Sequence, residues 1–386
     1  MTRPSGASRG SRRSRAAAML AAGAFAAAAF AAAAFAAGAC ASCARRSADA
    51  GTGEDDSLVV FSSHPADLAR PVVAEFRDRT GIAVRVVHGG TSELLLRLRA
   101  AAEAAHEAAQ GAAPLPAPLA AAVEAGRCDL MWGGGAETLT ANADLFEPYV
   151  SVEDASIPEA YKAPDRAWTG FTVLPMVIGY NTRLLDRDAV PRTWEELLEP
   201  RFAGAIAYAD PAVSASSYTI LRTFGYAVTG AGGARDHAEA EALFVRALGG
   251  KLLGQSADVF PSVASGEYLV GLFHDEAALQ LISAGSDLGI VYPADGTSAV
   301  PDGVALARGA RKPAEAKAFI DFVLGRDVGL VMATRFLRRS ARGDCPPPEG
   351  QPPVSSLALV PYDIAESAAA KRATLVRFAS YRSSSP

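Results

Sequence analysis

Cysteine and histidine are scarce in this 386-residue chain, at four and five, and tryptophan is rarer still at three. His64, His88, His106, His237 and His274 are widely scattered, so no local spacing builds a metal cage from them. Downstream of residue 43 there is no Cys-x-x-Cys pair, no His-Glu-x-x-His, no Gly-x-Ser-x-Gly and no Gly-Lys-Ser/Thr. Those absences argue against local-motif zinc sites, zinc hydrolases, nucleophile-elbow hydrolases and phosphate-loop enzymes, and no catalytic residue, metal site or cofactor is assigned. Positive charge is also short. Residues 1–39 hold Arg3, Arg9, Arg12, Arg13 and Arg15 and no acid, so the remainder is more acidic than the formal net charge of −5. An acidic body argues against a nucleic-acid partner, whose phosphates require a basic surface.

What the chain does have begins with an N-terminal address. A basic stretch ends at Arg15, and an apolar run of Ala, Phe, Met, Leu and Gly follows from Ala16 to Ala39. That order reads as a secretory signal peptide over 1–39. Ala37-Gly38-Ala39-Cys40 resembles a bacterial lipobox with Ala in place of the usual Leu, which makes Cys40 the expected lipidation site and Cys43 a second candidate. The alternative is an uncleaved membrane anchor, since the run is long enough to span a bilayer. Either way, residues from about 50 onward lie outside the cytoplasm, with 40–56 as a polar tether at the membrane face. Cys128 and Cys345 remain, as a disulfide or as two thiols.

Half of the residues are hydrophobic, enough for real cores in two or three domains. Leu58–Phe61 reads as a buried strand, with a helix opening at Pro65 and ending at Thr80-Gly81. Strand 82–87, helix 93–105 and strand 128–132 continue a β-α alternation, interrupted by the Ala/Pro/Gly-rich insertion 101–126. Further on, Phe171–Asn181 reads as a strand and Pro191–Leu197 as a helix with a Thr193/Glu196 capping box. Helices are expected over 217–226, 237–248, 275–284, 312–324 and near 327–337, with strands at 205–208, 288–292 and 303–307. An extended segment is expected from Cys345. This alternation implies an α/β protein with sheets flanked by helices.

Four polar turns follow strands and precede helices: Ser62-Ser63, Gly90-Thr91-Ser92, Gly133-Gly134-Gly135 and Ser214–Ser217. Ligands of open α/β sheets sit at such strand ends, where small residues let backbone N–H groups approach and hydroxyls add donors. Each turn also reads as an ordinary cap. His274-Asp275-Glu276 is the sharpest polar cluster, with Asp275 either capping the next helix or facing a ligand beside His274. Asp295 in Pro293–Ser298 either forms a turn or joins them.

Several stretches together resemble one family. They are Leu58–Ser63, Phe76–Ile82, Asp129–Gly134, Gly179-Tyr180-Asn181-Thr182, Pro191–Leu198 with the run to Asp210-Pro211, Tyr292–Thr297 and Pro301–Ala305. From Leu58 to about Tyr381 the chain resembles the solute-binding proteins of ABC importers grouped with ferric-iron, hexose-phosphate, phosphoglycerate and phosphonate receptors. The resemblance implies a type 2 periplasmic binding protein: two α/β lobes of mixed sheets, joined by two crossover hinge strands, that close on a ligand. Lobe 1 would span 57–165 with 300–386 returning to it, and lobe 2 would span 166–299 including the hinge crossings. It also implies an ABC permease and ATPase as partners. Ferric-binding members carry a Tyr-Tyr pair where this chain has Phe273-His274-Asp275, and none of its ten tyrosines is adjacent to another. Hexose-phosphate receptors resemble it there with His-Asp, which carries ligand contact onto Thr91, Ser217, His274 and Asp275, with Asp295 where those receptors have Glu. Ser62, Ser63, Ser92, Gly133, Gly134 and Ser216 complete the expected site. The expected ligand is a small anionic solute, a sugar phosphate or related organophosphate or phosphonate. Ferric iron in the same family, and a secreted lipoprotein enzyme, stay open as alternatives.

Overall fold

The computed structural model describes residues 56–110, 120, 124, 126–229 and 236–384. The expected signal peptide, Cys40, Cys43 and much of the 101–126 insertion lie outside them. In chain order the elements are β1 (Leu58–Ser62), α1 (Ala66–Thr80), β2 (Val84–His88), α2 (Thr91–Ala109), β3 (Leu130–Gly135), α3 (Ala136–Thr140), β4 (Phe146–Glu147) and β5 (Thr169–Asn181). β6 (Ile206–Ala207), α4 (Ala215–Thr229), α5 (His237–Ala247), α6 (Val259–Ser265), β7 (Val270–His274) and α7 (Asp275–Ser283) follow. The remainder is β8 (Leu288–Val291), β9 (Ala299–Ala307), α8 (Pro313–Leu324), α9 (Arg326–Arg335), β10 (Arg339–Ser340) and α10 (Ile364–Ser384).

The strand order is β2-β1-β3-β9-β5-β7-β6, with β4 on β9 and both β8 and β10 on β5. β1 runs parallel to β2 and β3, and β9 turns antiparallel to β3 and β5, so the sheet is mixed. β5 belongs to two sheets. Thr169–Pro175 pair with β9, whereas Met176–Tyr180 pair with β7 and Ile178–Asn181 with β8. The hand-over falls at Pro175, which has no N–H to contribute to a ladder. A second crossing runs from β8 in the second sheet through Tyr292–Ser298 to β9 in the first. Thr297 Oγ1 ties the two crossings by donating to the Met176 carbonyl at 2.6 Å.

Strand sequence explains the layers. β1 is buried at every position, as a strand covered on both faces should be. Its side chains still alternate: Leu58 and Val60 enter the core under α1 and α8, Val59 and Phe61 the core under α2. β5 does the same twice, sending Phe171 and Val173 into the first of those cores, then Met176 and Ile178 opposite Val177 in the second sheet. Gly179 is required where β5 and β7 meet, because a Cβ there would lie 2.0 Å from the Phe273 ring.

One expected helix is corrected. Pro191–Leu197 forms only a 3-10 turn at Glu195–Leu198, although Thr193 Oγ1 does accept the Glu196 N–H at 3.2 Å. Well past the segment that begins at Cys345, the chain ends in the 21-residue helix α10, which no sequence expectation covers. Its buried residues include Ser367 and Thr374 beside Phe378, so an apolar period is hard to see. α10 touches both halves: Phe378 packs in the second sheet's core and Arg377 bonds Glu241, while Lys371 Nζ donates to Thr138 Oγ1 of α3 at 3.0 Å. Cys128 and Cys345 are free thiols.

Asp129 locks the first sheet to its flanking helix. Its buried carboxylate accepts the N–H groups of Val59 at 2.8 Å, Arg311 at 2.8 Å and Lys312 at 3.0 Å. Asp129→Ala is expected to lower stability by about 3 kcal/mol, since several donors lose a charged acceptor at once. Urea unfolding measures this, and a loss under about 0.5 kcal/mol would contradict it.

Candidate functional site

A cavity of about 710 Å³ lies where strand ends of both sheets face each other. The first sheet contributes the turns after β1, β2 and β3, and the second contributes the turn into α4 and the end of β7. This is the strand-end position at which open α/β sheets bind ligands. Ser63, Thr91, Ser92, Gly134, Ser216 and His274 all line it, so six of the expected residues converge. α2 opens at Gly90 with no side chain capping its first turn. Its leading N–H groups, with the Thr91 and Ser92 hydroxyls, form a donor wall at the positive end of the helix dipole.

Five expected residues do not line the cavity. Ser62 is fully buried and its Oγ accepts the His64 N–H at 3.2 Å. Gly133 sits behind the wall at φ +105°, where a Cβ would lie 2.6 Å from Ser63 Oγ. Ser217 is 1% exposed, donates its N–H to Ser214 Oγ and accepts the Tyr208 hydroxyl on its carbonyl. Asp275 is also 1% exposed, paired with Arg339 and accepting the Tyr292 hydroxyl at 2.8 Å. Asp295 accepts the Trp194 N–H at 2.9 and 3.1 Å, a long-range contact that ties the 292–298 crossing to the 3-10 turn at Glu195–Leu198.

His64, Glu276, Asp302 and Arg338 line the cavity as one cluster, and of these only Glu276 stands out in the sequence, as the third member of the His274 triplet and without a ligand role. Arg338 Nη2 donates to Glu276 Oε2 at 3.2 Å, and Nη1 to Asp302 Oδ2 at 3.3 Å. Asp302 belongs to β9 of the first sheet and Glu276 to α7 beyond β7 of the second, so Arg338 joins the two halves. Arg339 repeats the pattern beside it by reaching Asp275. Two consecutive arginines thus meet two consecutive acids across the crossing strands. The backbone that aims Arg338 is unusual. Leu337 takes φ +53° after α9, and the Arg338 N–H bonds back to the Met332 carbonyl at 3.0 Å, a helix-ending turn normally built on glycine. No sequence signal announces a leucine in that role.

Arg338 Nη1 also lies 3.2 Å from His64 Nδ1. A guanidinium cannot accept, so Nδ1 accepts and the ring proton sits on Nε2. His64 stacks edge-on against Trp132 with centroids 5.0 Å apart. Burial, then the charge of Arg338, holds its pKa well below the ordinary 6.5, so the ring is neutral. Burial pushes the Asp302 carboxyl upward, against the pull of Arg338.

A histidine held neutral in the folded state but free to protonate when unfolded has a definite pH signature. Its stabilising contribution is complete above about 6.5 and falls as pH drops below that value, at up to about 1.4 kcal/mol per unit. His64→Asn is expected to flatten that part of the stability-versus-pH curve between pH 6.5 and 5. Identical slopes for the two proteins would contradict the buried neutral assignment.

Residues 129–354 match the family described as bacterial extracellular solute-binding protein. An uncharacterised protein from Haemophilus influenzae is 29% identical over 212 residues, covering 51% of this chain and 58% of that protein. Iron uptake protein A1 from Synechocystis is 25% identical over 155 residues, 40% of this chain and 38% of that protein. The chain therefore matches less than two thirds of the length of these curated relatives. Among solved structures, the periplasmic binding protein AfuA from Actinobacillus pleuropneumoniae, with exogenous fructose-6-phosphate bound, has a TM-score of 0.71 at 18% identity and covers 85% of this chain and 98% of that one. That likeness fixes the two-lobed fold. With more than half of its length matched to the family and its cleft at the strand ends, the chain belongs to the bacterial extracellular solute-binding proteins.

Proposed function

We propose that this protein is an extracytoplasmic receptor, not an enzyme, that captures a small anionic solute and presents it to an ABC permease and ATPase. The solute is a sugar phosphate or a related organophosphate or phosphonate. The observation that carries this reading is the uncapped start of α2, whose N–H groups and Thr91 and Ser92 hydroxyls share the cavity with Ser63 and Ser216. Such a wall suits a phosphoryl group, which accepts several hydrogen bonds and favours the positive end of a helix. The fructose-6-phosphate on AfuA supports the same ligand class. The two-sheet layout, with crossings at β5 and at Tyr292–Ser298, supports capture by hinge closure.

Ferric iron is the second reading, favoured by the likeness to Iron uptake protein A1. Against it, no tyrosine lines the cavity among the described residues. Among the described residues, no group of three or more His, Cys, Asp or Glu is placed to hold a metal ion. Hard Fe(III) wants several anionic oxygen ligands.

The membrane attachment follows from Cys40, whose thioether-linked lipid would tether the receptor through residues 40–56. Among the described residues no helix is long and apolar enough to cross a membrane. Cys40→Ala is expected to move the protein from the membrane fraction to the soluble one. Continued pelleting would shift the anchor to Cys43 or to the apolar run itself.

A thermal-shift panel on the full-length protein tests the ligand class. Sugar phosphates or phosphonates at a hundredfold excess over Kd should stabilise it by about 2.7 kcal/mol, with a concentration-dependent midpoint. Stabilisation by Fe(III) and by no phosphorus compound would overturn the proposal.

A further inference from the structure

The cavity has a second wall of opposite character. One cation, Arg338, lies between the carboxylates of Glu276 and Asp302, at 3.2 and 3.3 Å. His64 is neutral, and His274 Nδ1 stands 3.5 Å from Glu276 Oε2. The cluster sets two carboxyl groups against a single guanidinium. Both acids retain accepting capacity: Arg338 engages Oδ2 of Asp302 and leaves Oδ1, and each carboxylate offers about four acceptor sites. Glu276 Oε1 has taken one bond, from Gln280 at 2.7 Å. Two buried donors of the same cluster, His64 Nε2 and Arg338 Nε, have no hydrogen-bond partner within the protein. Such groups are costly unless a ligand or water completes them.

We propose that Glu276 and Asp302, clamped by Arg338, are specificity-determining residues that accept hydrogen bonds from hydroxyl or ammonium groups of the ligand and reject a second anionic group. This rests on the reading of the site as an anion receptor and narrows it. One phosphoryl group meets the α2 wall, and the rest of the ligand must be uncharged or cationic where it meets the carboxylates. Arg338 does not serve as an open anion site, because its charge is already shared between two acids on opposite sides of the cleft. Its function is to hold them there. Without it, two carboxylates would face each other across the pocket with no cation between them. The cluster therefore sorts ligands by what accompanies the phosphate. A monophosphate of a polyol, or an aminoalkylphosphonate, satisfies it. A bisphosphate or a phosphorylated carboxylic acid places like charge against like.

Isothermal titration of the full-length protein, wild type and the variants Glu276→Gln and Asp302→Asn, tests this with three probes. The probes are fructose 6-phosphate, 2-aminoethylphosphonate and fructose 1,6-bisphosphate. Wild type should bind one of the two single-phosphorus probes at least ~100-fold more tightly than the bisphosphate, and each variant should narrow that ratio at least ~10-fold. Preference for fructose 6-phosphate assigns the donors as hydroxyls, and preference for the aminophosphonate assigns an ammonium. A bisphosphate bound as tightly as the tighter of the two single-phosphorus probes, or a ratio unchanged in both variants, overturns the inference while leaving the anion receptor intact. Silence from all three overturns the receptor reading and this inference with it. Because the readout is a ratio on one sample, partial unfolding of a variant does not imitate the expected result.

Discussion

Thirteen residues of β5 bond to β9 and β10 along one half and to β7 and β8 along the other, and the rest of the molecule is arranged around that constraint. A strand that serves two sheets must bury side chains on both faces twice over, which is why it is apolar nearly throughout. It must also change partners somewhere, and Leu174-Pro175-Met176 is where the ladder to β9 stops and the ladder to β7 starts. The return path through Tyr292–Ser298 is fastened to it by Thr297. Two sheets, each with a core on both faces, share a pair of strands and leave facing strand ends, and the cavity occupies that gap. A bend confined to so few residues would move whole sheets without repacking their cores.

Polar contacts around the crossing then set how the halves face each other. On one side Arg338 and Arg339 reach Glu276 and Asp275. On another, Thr219 of α4 donates to Glu137 of α3 at 2.7 Å, and Tyr362 donates to the same carboxylate at 2.5 Å. α10 lies against both halves there. Buried ion pairs of this kind add little net stability, because desolvation offsets most of the attraction. Their consequence is geometric: they fix how the halves face each other in this structure.

Much of the fold was legible because the strands and helices follow simple periods. Val59 and Phe61 against Val60, or Leu68, Val72 and Phe76 along α1, are patterns that packing requires and sequence displays. The donor wall was legible for a related reason: Gly90, Thr91 and Ser92 are adjacent in sequence, so the turn is local. The acidic wall was not. Its members come from β1's exit, β9, α7 and the turn after α9, and only folding brings them together. Asp275 drew attention because it adjoins His274, yet the first turn of α7 turns it inward to Arg339 and presents Glu276 instead. α10 escaped because its buried stripe includes Ser367 and Thr374, hydroxyl residues that carry no hydrophobic period.

The central claim is that two chemically opposite walls of one cleft hold opposite ends of one solute. A crystal structure of the protein with its tightest-binding phosphorus compound measures this directly. The account predicts the phosphoryl oxygens within hydrogen-bond distance of the Thr91 and Ser92 amides, and hydroxyl or ammonium groups on Glu276 or Asp302. A phosphoryl group seated on Arg338 in place of Glu276 and Asp302, or density outside the cleft, would contradict it.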